Sequence, residues 1–387
     1  MAAAPAAAGI IGAFEHPERR IPEGTVADVI SDVSLGALAD AGLGLGDVDG
    51  FFFAGVHQRL SLVAMADHLG LDRLTYADST DIGGASALAQ VAHAAMAIAA
   101  GRCTVALIAM GGRPLAATAR PAPQEEAGAR YERDVDLSQI AAYALVAQRH
   151  MYEFGTTPEQ LAMVKVTASQ HAQYNPHARL RTPVTVDEVL ASPLISDPLH
   201  RLDCCVTTDG GGALILAAPE VVASSGRRAA WVRGGGETLR TLSGGHTDLM
   251  RNGAERSGAA AFEQAGLAPS DISYASLYDS FTITVLLALE NLGFCERGRS
   301  GQFVADGEIL AGQGKLPVNT DGGGLCNNHP DRRGGMARTL EAVRQIRGEA
   351  APEVQVDDCE HALVNGSGHS LGGNASAATL VLGRERS

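Results

Sequence analysis

Residues 103–110, CTVALIAM, are apolar at almost every position. A strand with one wet face alternates apolar and polar residues. One that is apolar throughout must be covered on both faces, as in layered structures with helices above and below the sheet. What precedes this run fits that requirement. Residues 86–100 are Ala-rich, carry Leu88, Val91, Ala95 and Ile98 at helical spacing, and stop at Gly101, a good helix terminator. Further upstream, residues 9–13 and 48–55 read as strands, and residues 25–41 and 61–71 as helices. This βαβα order predicts an α/β layered fold. The middle of the chain reads differently. Residues 113–136 show no periodicity and predict a long loop, 137–153 and 158–171 predict two helices, and 174–203, with four prolines, an extended excursion over one face. A second α/β pattern starts near Arg227, with strands at 229–233, 272–277, 362–365 and 378–382 and helices at 247–265, 282–292 and 337–347. The chain therefore divides into residues 1–224, including the excursion over about 113–205, and residues 225–387. No repeat between the two is visible residue by residue.

Length and charge bound the function. The 387 residues suffice for a sizeable core. A net charge of −14 gains nothing from counterion release, so nucleic acid is excluded as a natural partner. A polyanionic ligand would need local basic or helix-dipole help against that field. No apolar stretch is long enough to cross a membrane. The six cysteines follow no framework spacing and contain no CxxC pair, so reduced thiols in the cytoplasm are expected and a metal site is not.

Four stretches put glycine beside polar residues at strand–helix junctions, where free backbone N–H groups suit an anion or oxyanion. Asp81–Ser86 (DIGGAS) opens the Ala-rich helix, and its bland reading is a turn capped by Ser86. Tyr278-Asp279-Ser280-Phe281 follows a strand; there the bland reading is an N-cap by Asp279. Residues 319–330, NTDGGGLCNNHP, put three glycines close to His329 and are harder to read as packing alone. Residues 365–370, NGSGHS, carry His369 in what reads as a glycine-rich turn between strands.

Taken together and in order, these stretches resemble the thiolase superfamily, in particular its sterol-carrier-type branch. The resemblance covers almost the whole chain. It runs through ALADAGLGLGDVDG at 37–50, the NP…DPLHRLDC…TDG segment over 174–216, ENLGFCERGRS at 290–300 and the stretch from LPVNTDGGG to AVRQIRG over 316–348. It implies two βαβαβαββ halves in a five-layer αβαβα thiolase fold, a homodimer, and an acyl-CoA substrate in which CoA is part of the substrate and not a cofactor.

The resemblance also shows what is missing. A thiolase opens its buried helix with a nucleophilic cysteine; the register set by Ile98 and Gly101 puts Gly84 at that position. The sterol-carrier branch carries HDCF where this chain has Tyr278-Asp279-Ser280-Phe281, so the acid/base cysteine is replaced by Ser280, a poorer proton carrier near neutral pH. The family's GHP histidine matches His329, with Asn328 in place of the glycine and Asp331-Arg332-Arg333 following. Without a nucleophile, the chemistry left to an oxyanion pocket is enolate stabilisation, as in the thiolase-like steroid side-chain-cleaving aldolases, whose YD-F motif is similar to Tyr278–Phe281. The implied roles are Tyr278 as base or proton relay and His329 as oxyanion donor or acid/base group. His369 would be a second base, Asp279 a loop-orienting acid in the site, and the backbone N–H groups at Gly84 and Gly368 oxyanion donors. Arg332 and Arg333 would contact CoA. Such proteins pair with a small OB-fold and zinc-ribbon chain, implying a heterotetramer. Two other readings stay open: a non-catalytic acyl-CoA-binding or scaffold subunit, and an acyltransferase with another nucleophile, for which Cys326 is the nearest thiol.

Overall fold

A computed structural model describes residues 5–54, 61–116, 138–240, 248–330, 333–369 and 375–387. Strands β1 (Gly9–Glu15), β2 (Gly50–Phe53), β3 (Tyr76–Asp78) and β4 (Val105–Gly112) alternate with helices α1 (Val26–Ala41), α2 (Ser61–Leu69) and α3 (Ser86–Ala99). The excursion holds α4 (Gln139–Phe154), α5 (Pro158–Ala172), α6 (Val186–Ala191) and a small hairpin of β5 (Leu194–Ser196) and β6 (Leu199–His200). Strand β7 (Gly210–Ala217) and helix α7 (Pro219–Ser225) return to the main body. Strand β8 (Ala230–Arg240), α8 (Ala254–Ala265), β9 (Tyr274–Leu277), α9 (Thr282–Asn291), α10 (Ser300–Ala305), α11 (Gly323–Cys326), α12 (Gly334–Arg347), β10 (His361–His369) and β11 (Ala375–Gly383) complete the chain.

The main strands pair in the order β3-β2-β4-β7-β1-β8-β11-β10-β9. The middle of this order is a pseudo-two-fold. Going outward from β1, the pairings are antiparallel to β7, antiparallel to β4, then parallel to β2 and β3. Going outward from β8, they are antiparallel to β11, antiparallel to β10 and parallel to β9, with a final parallel bridge from Ala275 to Val318. The two sets pair edge to edge through Gly9↔Trp231 and Ile10↔Ala230. The duplication is thus carried by topology and not by residue identity.

Period-two alternation splits the core into layers. In β4, Leu107 and Ala109 face α1 and α2, whereas Ala106, Ile108 and Met110 face α3 and α12. In β10, Ala362 and Val364 face that same central pair, and Leu363 faces α8 and α9. Helices α3 and α12 pack on each other and on strands of both sets. The result is the five-layer αβαβα order, with the N-termini of α3 and α12 meeting at its centre.

Three expectations need correction. The strand expected to end at Arg233 runs on to Arg240. Its glycines do not break it. A Cβ on Gly234 or Gly236 would sit 2.1 Å from Ala261 O or 2.2 Å from Ser257 O, so these positions let α8 lie directly on the strand. The helix expected from residue 247 starts at Ala254. The expected turn at 365–370 is strand through His369, because Gly366 and Gly368 admit the turn before α3: their Cβ atoms would lie 3.1 Å from Ala85 Cα and 2.1 Å from Ile82 O. The prolines of 174–203 also conceal α6, started by a Thr185–Glu188 capping box. Of the loop expected over 113–136, residues 117–136 lie outside the described residues.

Helix α5 contributes a buried histidine with a measurable consequence. His171 Nδ1 donates to Asn319 O (3.3 Å), and Nε2 accepts from Ala311 N–H (3.0 Å), which fixes the neutral tautomer. Burial pushes its pKa down to about 4 from 6.5. Between those values the unfolded chain binds the proton and the folded chain does not, so stability falls as pH drops through that window. His171→Gln keeps a donor and an acceptor but cannot titrate. Denaturant unfolding at pH 7 and pH 4 is expected to show a wild-type loss about 3 kcal/mol larger than the variant's. Equal losses would contradict the neutral assignment.

Candidate active site

Tyr278 is positioned from both sides of the end of β9. Its N–H donates to Asn365 O (3.0 Å) on β10. On the other side the strand edge is closed by a side chain: Asn319 Nδ2 donates to Leu277 O and its Oδ1 accepts Leu277 N–H, both at 2.8 Å. Asn319 has φ +52°, a left-handed conformation asparagine tolerates. The next residue, Asp279, accepts Gly324 N–H (2.7 Å) and Leu325 N–H (3.1 Å), so it caps α11 with both carboxylate oxygens. Its visible work is to join the Tyr278 loop to the helix before His329.

The phenol ring occupies a space made by two glycines. A Cβ on Gly84 would lie 2.5 Å from Tyr278 Cζ and 2.4 Å from Ser367 O; a Cβ on Gly334 would lie 2.7 Å from Tyr278 Cε2. The ring therefore sits between the starts of α3 and α12. Ser86 is occupied: its hydroxyl accepts Ile82 N–H (2.9 Å) and donates to Gly83 O (2.7 Å), with Gly83 at φ +66°. The His329 ring lies edge-on to Tyr278, with centroids 5.3 Å apart and planes at 71°. Tyr278 is 8% exposed and His329 half-buried.

Behind His329 lies a buried polar lattice that sequence reasoning missed. Arg338 and Asp321 form a bidentate pair (2.9 and 2.7 Å), and Asp321 also accepts Gly323 N–H (3.0 Å) and Asn327 Nδ2 (2.7 Å). Glu15 accepts Asn328 Nδ2 (2.7 Å), Arg19 (2.9 Å) and Arg344 (2.8 Å). Burial alone would raise the Glu15 carboxyl, but Arg19 and Arg344 hold it down at about 2. Burial and the Asp321 charge push nearby Glu341 up to about 7. Arg338→Ala would leave Asp321 buried without its counterion, a loss on the order of 3–5 kcal/mol. Thermal denaturation checks this, and an unchanged midpoint would mean that water or another cation replaces the guanidinium. The signal available in the sequence was the pair Asn327-Asn328 where a glycine was expected.

The remaining expected site residues divide. Arg333 is buried, and its Nε donates to Gly111 O (3.4 Å). Arg332 and the His369 side chain lie outside the described residues. Gly368 packs against Ile82 and supports the turn that presents Gly84. Cys326 is fully buried; burial raises its pKa, and Lys165 Nζ sits 3.1 Å from its sulfur and 2.7 Å from Leu325 O. Burial likewise raises Cys204 to about 11 and Cys205 to about 12. These thiols are held in the unreactive form.

Residues 236–384 match the family described as thiolase C-terminal domain-like. The chain is 32% identical to an acetyl-CoA acetyltransferase of Methanothermobacter thermautotrophicus, over 96% of this chain and 97% of that protein. It is also 32% identical to a steroid side-chain-cleaving aldolase of Thermomonospora curvata, over 100% of both. The chain belongs to the thiolase superfamily. Among solved structures, the Ltp2-ChsH2(DUF35) aldolase matches with a TM-score of 0.88 and 32% identity over 98% of each chain.

Relatives at one level of identity thus carry names from two reaction classes. This thiolase-superfamily chain has no side chain where the resemblance puts the nucleophile, and an aromatic ring stands in its place. Among the described residues no three His, Cys, Asp or Glu side chains converge as metal ligands, and no helix is long and apolar enough to cross a membrane.

Proposed function

We propose that this chain breaks a carbon–carbon bond of a 3-hydroxyacyl-CoA by retro-aldol cleavage. The observation that carries the reading is the Tyr278 ring filling the space a side chain at residue 84 would need. Acyl transfer through a thiolate is closed, while a polar pocket of Tyr278, His329 and the α3 N-terminus remains. In the reaction, Tyr278 takes or relays the 3-hydroxyl proton. The C2–C3 bond breaks as the C3 carbonyl forms, and its electrons pass into the thioester as an enolate. His329 and the Gly84 backbone N–H donate to the enolate oxygen, which is the larger catalytic contribution in sites of this kind. A proton then returns to C2. The products are an aldehyde or ketone and a shortened acyl-CoA. The names of the aldolase relatives support the same reaction class.

CoA enters as part of the substrate. A partner chain of the kind named in the Ltp2-ChsH2(DUF35) aldolase would complete the assembly, together with a second copy of this chain. Six free cysteines suit a reducing compartment such as the cytoplasm.

The test is turnover of a 3-hydroxyacyl-CoA panel in deuterated water, with the partner chain present. The reading expects a carbonyl product and a shortened acyl-CoA bearing one solvent deuteron at C2. Tight binding of the esters with no cleavage of any would favour the binding-subunit reading instead.

A further inference from the structure

A short strap of chain runs between the two loops that carry Tyr278 and His329. Cys205 N–H donates to Ser280 O, and Val206 N–H to Gly324 O, both at 2.9 Å. Its far end is anchored at Asp209, whose carboxylate accepts Ile21 N–H and Leu115 N–H, each at 2.9 Å. Between these anchors lies Thr208, fully buried. Its hydroxyl accepts the backbone N–H of His329 (3.0 Å) and donates to Asn328 Oδ1 (2.7 Å). The other end of the Asn328 amide is held by Glu15.

We propose that Thr208 is a positioning residue that fixes His329 relative to Tyr278. A hydroxyl is the smallest side-chain group able to accept from one partner and donate to another at once. Thr208 uses both capacities on consecutive residues of the His329 loop. The same strap holds the Tyr278 loop through Ser280, so the spacing of the two rings is set by one segment of backbone. Asn328, which stands where the family resemblance expects glycine, is the second half of this device. Its side chain is what ties the hydroxyl to Glu15 on β1.

The inference rests on the retro-aldol reading for its kinetic measurement only; a second readout is independent of it. Thr208→Val keeps the shape and removes the hydroxyl, and Thr208→Ser restores it. For cleavage of a 3-hydroxyacyl-CoA, Thr208→Val is expected to lower kcat by about 10- to 100-fold, the cost of a misplacement near 1 Å, with KM within about twofold. The His329 imidazole resonance, assigned in histidine-labelled protein against His329→Ala, is expected to move in Thr208→Val and return in Thr208→Ser. An unmoved resonance with wild-type kcat per folded molecule would overturn the proposal, as would a serine variant as impaired as the valine one. If Thr208→Val does not fold, Asn328→Ser carries the test. It cuts the tie to Glu15 and is expected to shift the resonance in the same direction; an unmoved resonance overturns the proposal. If the wild type cleaves no ester, the retro-aldol reading fails and the resonance alone decides the role of Thr208.

Discussion

Tyr278→Phe is expected to abolish most carbon–carbon cleavage while leaving the fold and CoA-ester binding intact. The ring is held by shape: Gly84 and Gly334 lie against it, and His329 lies edge-on. Phenylalanine fills the same space, so packing survives. Only the hydroxyl is lost, and with it the group assigned to the 3-hydroxyl proton. General acid–base groups contribute about 10²–10⁴-fold, so kcat should fall by that much. The dissociation constant for a substrate analogue should change little, since the phenol contributes mainly in the transition state. Steady-state kinetics with parallel calorimetric binding separate the two quantities. His329→Ala is expected to lose about 10²–10³-fold through the oxyanion contact, again without large loss of binding. A Tyr278→Phe enzyme within about threefold of wild type would remove the tyrosine from the chemistry.

The second large effect is at Gly84. Restoring the family's cysteine there should not restore a thiolase. The new Cβ would stand 2.5 Å from the Tyr278 ring and 2.4 Å from the Ser367 carbonyl, well inside contact distance. One neighbour is a packed aromatic and the other is backbone, so neither yields cheaply. Gly84→Cys is therefore expected to lose at least about 1–3 kcal/mol of stability, with cleavage down at least about 100-fold as Tyr278 is displaced. Adding Tyr278→Ala should recover part of the stability, because it removes one of the two collisions and leaves Ser367 O. Thermal denaturation of the single and double variants, with an activity assay of the single, reads all of this. A Gly84→Cys protein as stable and active as wild type would show that the glycine is not required by the tyrosine.

Much of this was legible in the sequence, and the exceptions share a cause. The α/β class and most element positions follow from local periodicity: the apolar run of β4, the stripe of α3 and the Gly101 stop. The placing of the family's nucleophile position at Gly84 rests on the resemblance and its register alone. What local reasoning could not give was the reason for the absence. Nothing at Gly84 predicts that a ring from residue 278 fills its side-chain space, because that contact joins segments almost two hundred residues apart. The same holds for Thr208 and His329, and for Glu15 and Asn328. Glycines misled twice, at 234–236 and at 366–368. Glycine reads locally as a breaker, but there it serves close approach between layers.

Retro-aldol cleavage by way of an enolate requires that no residue of this chain take up an acyl group from CoA, and that the bond broken be carbon–carbon. Mass spectrometry of the intact protein and of the small-molecule products, after incubation of the chain and its partner with a panel of acyl-, 3-ketoacyl- and 3-hydroxyacyl-CoA esters, tests both points most directly, since it works whatever the acyl group of the true substrate. The expected result is an unmodified protein mass with every ester, and cleavage products from at least one 3-hydroxyacyl-CoA. A stable acyl adduct, mapped to Cys326 or to any other residue, would contradict the enolate route and return the chain to acyl transfer.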